Sequence, residues 1–131
     1  MYQVELDAAL SVVDDLLAAP GRTAAGALRA FTGRYAAFVA TKRGLAETVR
    51  AGALRGAARS AGTRERVNAA VQRFLDAGAA DGSLRGGLLA DDVTAALVGI
   101  LLSTRDVHDP EQTDRLLDIL SAGLSRPART A

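Results

Sequence analysis

The chain has 131 residues, a net charge of +1, and 49% hydrophobic against 24% charged residues, which is the composition of one folded domain. It has no cysteine and one histidine, which excludes a disulfide framework and argues against a zinc site, because zinc takes about three or four nitrogen or sulfur ligands. The N-terminal stretch is acidic and lacks lysine and arginine, unlike a secretion signal. The longest apolar run, 95–102, is much shorter than the roughly 20 residues of a membrane span. We therefore expect one cytoplasmic domain over residues 1–131 that does not enter a membrane.

The charges are unevenly distributed along the chain. Residues 21–75 are rich in arginine, whereas acidic residues dominate 1–20 and 76–131. A basic middle attracts nucleic acid or an anionic ligand in some proteins. The alternative, which we favour, is that these arginines lie on solvated helix faces and pair with the acidic ends of the same fold.

Six helices and no strand are predicted. The first spans residues 2–19, where apolar residues repeat at spacings of three and four, and Pro20-Gly21 ends it. Thr23 is the expected N-cap of the second, residues 24–41. The face of this second helix is formed by Leu28, Phe31, Tyr35 and Phe38.

A short third helix is predicted over 45–54 and a fourth over 63–77, with a glycine-containing connector between them. The apolar face of the fourth contains Val67, Ala70, Val71, Phe74 and Leu75. The glycine-rich stretch 78–87 is predicted to be a loop. It lacks the Gly-Lys-Ser/Thr sequence of a phosphate-binding loop.

The last two predicted helices span 92–104 and 110–124. Asp91 is the expected N-cap of the fifth. For the sixth, Asp109 is the expected cap, with Pro110 in the first helical position.

Catalytic residues are not evident, and we expect no enzyme activity and no cofactor. His108 lies in a short turn, where a surface or capping role is the simpler interpretation. Asp91 and Asp92 are neighbours on a helix and so point in different directions. Acidic residues are also favoured at a helix start by the helix dipole.

The fifth helix is apolar on every side over residues 95–102. One side faces the core of the domain, so the other requires a partner. A row of small residues allows close helix approach, and the sixth helix is leucine-rich. We therefore predict a homodimer through both helices, with an interface containing Ala95, Gly99, Ser103, Leu116, Ile119, Leu120 and Gly123. Complete burial of the fifth helix within a monomer is the alternative.

A small-molecule site is predicted between the second, third and fourth helices, with aromatic residues on its wall. A few polar groups in an apolar cavity are typical of such sites. We predict that this cavity is lined by Tyr35, Phe38, Thr48, Val71 and Phe74. Plain core packing explains the same aromatic face and is the alternative.

The stretch 31–49, FTGRYAAFVATKRGLAETV, resembles the TetR family of bacterial regulators, and most closely the C-terminal region of its SbtR-like subgroup. GSLR at 82–85, the pair at 91–92 and DRLLDILSAGL at 114–124 also match in order and spacing. The resemblance covers nearly the whole chain. It implies an all-helical domain that binds an inducer and dimerises through its last two helices.

The same resemblance implies a helix-turn-helix domain before Tyr2, which this sequence does not contain. We therefore expect either a piece of a longer regulator or a natural truncation, and no direct DNA contact by this chain. The predicted function is effector sensing and dimerisation in a TetR-type repressor. The rival is a helical interaction protein without a pocket, which pairs with itself or with a full-length regulator.

Overall fold

A computed structural model describes residues 2–40, 58–104 and 109–127 of the chain. These residues form five helices, which are α1 (Tyr2–Ala18), α2 (Ala24–Val39), α3 (Ala58–Asp81), α4 (Ala90–Thr104) and α5 (Pro110–Leu124). Within this part of the chain there is no extended strand, only a single antiparallel bridge between Leu84 and Ser125. The all-helical prediction is confirmed. The helix predicted over 45–54 lies outside the described residues.

Helix α2 is central, because it contacts each of the other four described helices. Helix α1 packs on α2 and α3, α4 packs on α3 and α5, and α5 returns to α2. Buried apolar side chains from all five helices form one core, and the most enclosed of them are Phe31, Phe74, Leu97, Leu117, Val67 and Val71. None of the helices within the described residues is both long and apolar enough to cross a membrane.

Two helix starts confirm the predicted caps. Thr23 Oγ1 accepts a hydrogen bond from the Gly26 N–H at 3.1 Å, as an N-cap side chain does. Asp109 Oδ1 accepts from the N–H groups of Glu111 and Gln112 at the start of α5, with Pro110 in the first turn. In both caps the hydrogen-bonded residues are two or three positions apart, which explains why the sequence alone predicted both caps.

The predicted N-cap at Asp91 is wrong. Helix α4 begins at Ala90, and the Leu89 carbonyl accepts the N–H groups of Asp92 and Val93. The Asp91 carboxylate instead accepts hydrogen bonds from Arg64 and Asn68 of α3, at 2.5 and 3.0 Å. A guanidinium on the neighbouring helix is a stronger donor than a backbone N–H, since the resulting bond is between charged groups.

The predicted limits of α3 are also wrong, because the helix extends into both of the glycine-containing segments expected to flank it. It starts at Ala58 and ends at Asp81. Gly78 does not break it: this residue is buried, and a Cβ atom there would overlap the Leu84 side chain. The missing side chain of Gly78 therefore lets Leu84 pack closely against the helix. The chain turns only at Gly82, whose φ is +79°.

Candidate functional site

The aromatic residues of α2 and α3 form a continuous cluster in the core. The ring centroids of Phe31 and Phe74 are 5.3 Å apart, those of Phe31 and Tyr35 are 6.3 Å apart, and those of Tyr35 and Phe38 are 5.8 Å apart. Such spacings are typical of interacting aromatic pairs. Phe74 is fully buried and Tyr35 nearly so, whereas Phe38 is half-buried at the end of the series.

Four of the five residues predicted to line an effector cavity are therefore in one part of the fold. Val71 and Phe74 of α3 share the buried core with Tyr35 of α2, and Phe38 packs against it. The fifth, Thr48, lies outside the described residues, as does the whole predicted third helix. The cavity between these elements stays a prediction.

The outer side of α4 exposes small residues. Val93, Leu97 and Leu101 are buried on the inner side of the helix, whereas the predicted interface residues Ala95, Gly99 and Ser103 are exposed. The Ser103 hydroxyl donates to the Ile100 carbonyl at 2.9 Å, so its polar group is already satisfied within α4. A closely packed partner would therefore not leave this donor unpaired.

Helix α5 also exposes small and apolar residues. Ile119 is 68% exposed, Gly123 is exposed, and Leu116 and Leu120 are half-buried. Arg29 of α2 contacts Asp114 and Asp118 on another side of α5, so the side that carries Ile119 is turned away from α2. We call Ala95, Gly99, Ser103, Leu116, Ile119 and Gly123 the outer α4–α5 face. Leu120, which was also predicted for the interface, packs against the core and lines a small cavity beside α2.

The loop between α3 and α4 caps the start of α2. Asp81 Oδ2 accepts the Ala24 N–H at 2.8 Å, and Ser83 Oγ accepts the Ala25 N–H at 3.0 Å. With Thr23, these side chains satisfy the first three N–H donors of the helix, which have no partner inside it. Hydrogen bonds from Ser83 and Ala24 hold the pKa of Asp81 below its usual value. The sequence pattern did not predict this contact, because its partners are far apart along the chain.

The same loop also holds the segment after α5. The Arg85 N–H donates to the Leu124 carbonyl and the Arg126 N–H donates to the Ser83 carbonyl, each at 2.9 Å. Beside this crossing lies an open groove of about 440 Å³, lined by Ala79, Leu84, Arg85, Gly86, Arg126 and Pro127. A much smaller cavity of about 10 Å³ lies between α2 and α5.

Three arginines of the basic middle pair with aspartates from the acidic ends. Arg29 contacts Asp118 at 2.8 Å, and Arg64 contacts Asp91 at 2.5 Å. Arg73 pairs with Asp14. Each pair joins two different helices. This agrees with the expectation that arginines on solvated helix faces pair with acidic residues from the two ends of the chain.

Charged groups with shifted pKa values mark the contact between α3 and α4. The Asp91 carboxyl has a lowered pKa because Arg64 and Asn68 donate hydrogen bonds to it, and the pKa of Arg64 is raised by the same bond. Within residues 2–40, 58–104 and 109–127, no group of three His, Cys, Asp or Glu side chains is placed to hold a metal ion. His108 lies outside the described residues.

Comparison with known proteins gives one family and a similar solved structure. Residues 23–126 match the family described as "Transcriptional regulator SbtR-like, C-terminal domain". The crystal structure of a TetR transcriptional regulator from Streptomyces coelicolor is similar, with a TM-score of 0.75 and 33% sequence identity. The match covers 97% of this chain and 71% of that one. A search of curated proteins gave no significant match.

Proposed function

The chain belongs to the TetR family of transcriptional regulators, as an SbtR-like C-terminal domain, and on that premise we propose that it pairs with a second copy of itself and responds to a small, largely apolar effector. In such a domain the effector binds one of two global conformations better and so shifts their balance. The role is regulatory, not catalytic, in the cytoplasm. The residues of this chain are not expected to make sequence-specific contacts to DNA.

The observation that carries this proposal is the contrast between the two sides of α4. Its inner side is buried in the core, whereas its outer side exposes Ala95, Gly99 and Ser103. Glycine costs about 1 kcal/mol of helix propensity relative to alanine. A Cβ atom at Gly99 would have no neighbour within 4 Å in the single chain, so no described residue requires a glycine there. Close approach of a partner helix supplies a reason.

Sedimentation at several concentrations tests the pairing. We expect the wild-type chain to be a dimer at tens of micromolar, and Gly99→Leu to weaken association about ten-fold or more by separating the two helices. Ala80→Leu is the matched control, because Ala80 is an exposed small residue on α3, outside the outer α4–α5 face. A wild-type chain that stays monomeric at tens of micromolar would defeat the pairing.

A second function, pairing without an effector, is favoured by the tight burial of Val71 and Phe74, both 0% exposed. The neutral fluorescent probe N-phenyl-1-naphthylamine separates the two. If the domain is a sensor, we expect saturable binding that raises the melting temperature and weakens in Phe38→Ala, since Phe38 is the half-buried ring of the cluster. Strong pairing with no saturable probe binding would instead support the interaction protein without a pocket.

A further inference from the structure

The groove beside the Gly82–Gly87 loop carries two arginines whose side chains are not paired with a carboxylate within the described residues. Arg29, Arg64, Arg73 and Arg115 each contact an aspartate. Arg85 and Arg126 use their backbone N–H groups in the bonds that hold the crossing. Both residues line the groove.

Hydrogen bonds hold the backbone at Arg85 and Arg126. The bonds from Arg85 to Leu124 and from Arg126 to Ser83 form the antiparallel bridge that joins the loop to the segment after α5. Leu84 anchors the same loop in the core, where it is 3% exposed and packs against Gly78. Two arginines that are distant in sequence therefore line one groove, and each is attached to a backbone held by a hydrogen bond.

Within the described residues, Asp81 at the end of α3 forms no salt bridge with either arginine. The carboxylate of Asp81 accepts the N–H groups of Ala24 and Ser83, and so is directed at the start of α2. The other residues that line the groove are Ala79, Leu84, Gly86 and Pro127, none of which is charged. The lining of the groove thus combines two arginines with uncharged residues, and its volume of about 440 Å³ suits a small organic molecule.

We propose that this groove binds a small organic oxyanion, a carboxylate or phosphate ester that carries a short apolar chain. The guanidinium groups of Arg85 and Arg126 donate charge-assisted hydrogen bonds to the oxyanion, for which their planar geometry is suited. The apolar chain covers Ala79, Leu84 and Pro127. This site is separate from the predicted effector cavity at the aromatic cluster and does not depend on it.

Calorimetric titration of the full chain with three probes of equal chain length tests the proposal. Octanoate and octyl phosphate carry the two kinds of oxyanion, and octanol carries the same chain without charge. We expect at least one anionic probe to bind, more weakly at higher salt because the charges are exposed, and octanol to bind at least about ten-fold more weakly. The ranking of the two anions identifies the headgroup.

The variants locate the binding. Arg85→Ala combined with Arg126→Ala is expected to weaken the anionic probe about ten-fold or more, whereas the corresponding double lysine variant retains part of the affinity. Arg34→Ala is the control, an exposed arginine of α2 that does not line the groove. Circular dichroism checks that each variant is folded. The proposal is overturned if neither anion binds at millimolar concentration, or if the double alanine variant binds as tightly as the wild type.

Discussion

The interior between α2 and α3 and the outer α4–α5 face both carry apolar side chains, but among the described residues only the first is covered by other parts of the fold. Phe31, Tyr35 and Phe74 are at most 3% exposed, whereas Ile119 is 68% exposed. The comparison shows that an apolar helical spacing is found both in the core and on an exposed face of a single chain, so the spacing alone does not tell which faces the chain itself covers.

The largest difference between the two regions is expected in their contribution to the stability of a single chain. Phe74→Ala should lower the free energy of unfolding by about 3–5 kcal/mol, since it removes a fully buried ring that contacts Phe31. Ile119→Ala should change it by less than about 0.5 kcal/mol. Urea unfolding, at a protein concentration low enough to keep the chains apart, measures both. Similar losses for the two variants would contradict the comparison.

Two glycines sharpen the comparison with a smaller effect. Gly78→Ala places a Cβ atom against the Leu84 side chain and is expected to cost about 1–3 kcal/mol of stability, in spite of the better helix propensity of alanine. Gly99→Ala meets no neighbour in the single chain and should stabilise it by up to about 1 kcal/mol. Thermal unfolding of the two variants is the measurement. A gain of stability at Gly78 would show that Leu84 moves aside freely.

The smallest expected effect concerns the loop that caps α2. The folded-state pKa of Asp81 is lower than its usual value of 3.8, so its contribution to stability is present above that value and is lost as the pH falls through the lower folded pKa. Because the group is largely exposed, we expect less than about 1 kcal/mol after solvent screening. The free energy of unfolding of Asp81→Asn should therefore fall less steeply at acid pH than that of the wild type.

Asp15→Asn is the control for that measurement, since Asp15 is an exposed aspartate on α1. Urea unfolding over the acid range, from well below to well above the usual pKa of 3.8, compares the two variants with the wild type. An Asp81→Asn curve parallel to the wild-type curve would show that the Asp81 carboxylate does not stabilise the start of α2 in solution.

Structural features whose interacting residues lie within a few positions of each other were predicted correctly. The starts of α2 and α5 follow from Thr23 and from Asp109-Pro110, whose partners are two or three residues away. The buried stripe of α2 follows from its helical spacing, and Phe31 and Tyr35 are both in the core. Such signals need no knowledge of the rest of the fold, because a helix brings these residues together by its own geometry.

Features that depend on a partner outside the local helix pattern were predicted wrongly. The position of Asp91 in the sequence predicts an N-cap, but its carboxylate accepts hydrogen bonds from Arg64 and Asn68 instead. Gly78 looks like a helix end, but the packing of Leu84 uses its missing side chain. In both cases the contact that decides the structure involves a residue outside the helix start or end that the pattern describes. The pattern therefore cannot predict it.

The amino-acid sequence alone was sufficient for the all-helical fold class, the main helix faces and the helix starts at Thr23 and Asp109, since helix periodicity and capping act over a few residues. The tertiary structure was needed to show that the loop after α3 caps α2 and ties down the segment after α5. It also placed Arg85 and Arg126 at one groove, although they are far apart in the chain. Such contacts escape sequence patterns because they join segments whose proximity is set by the packing of all the helices together.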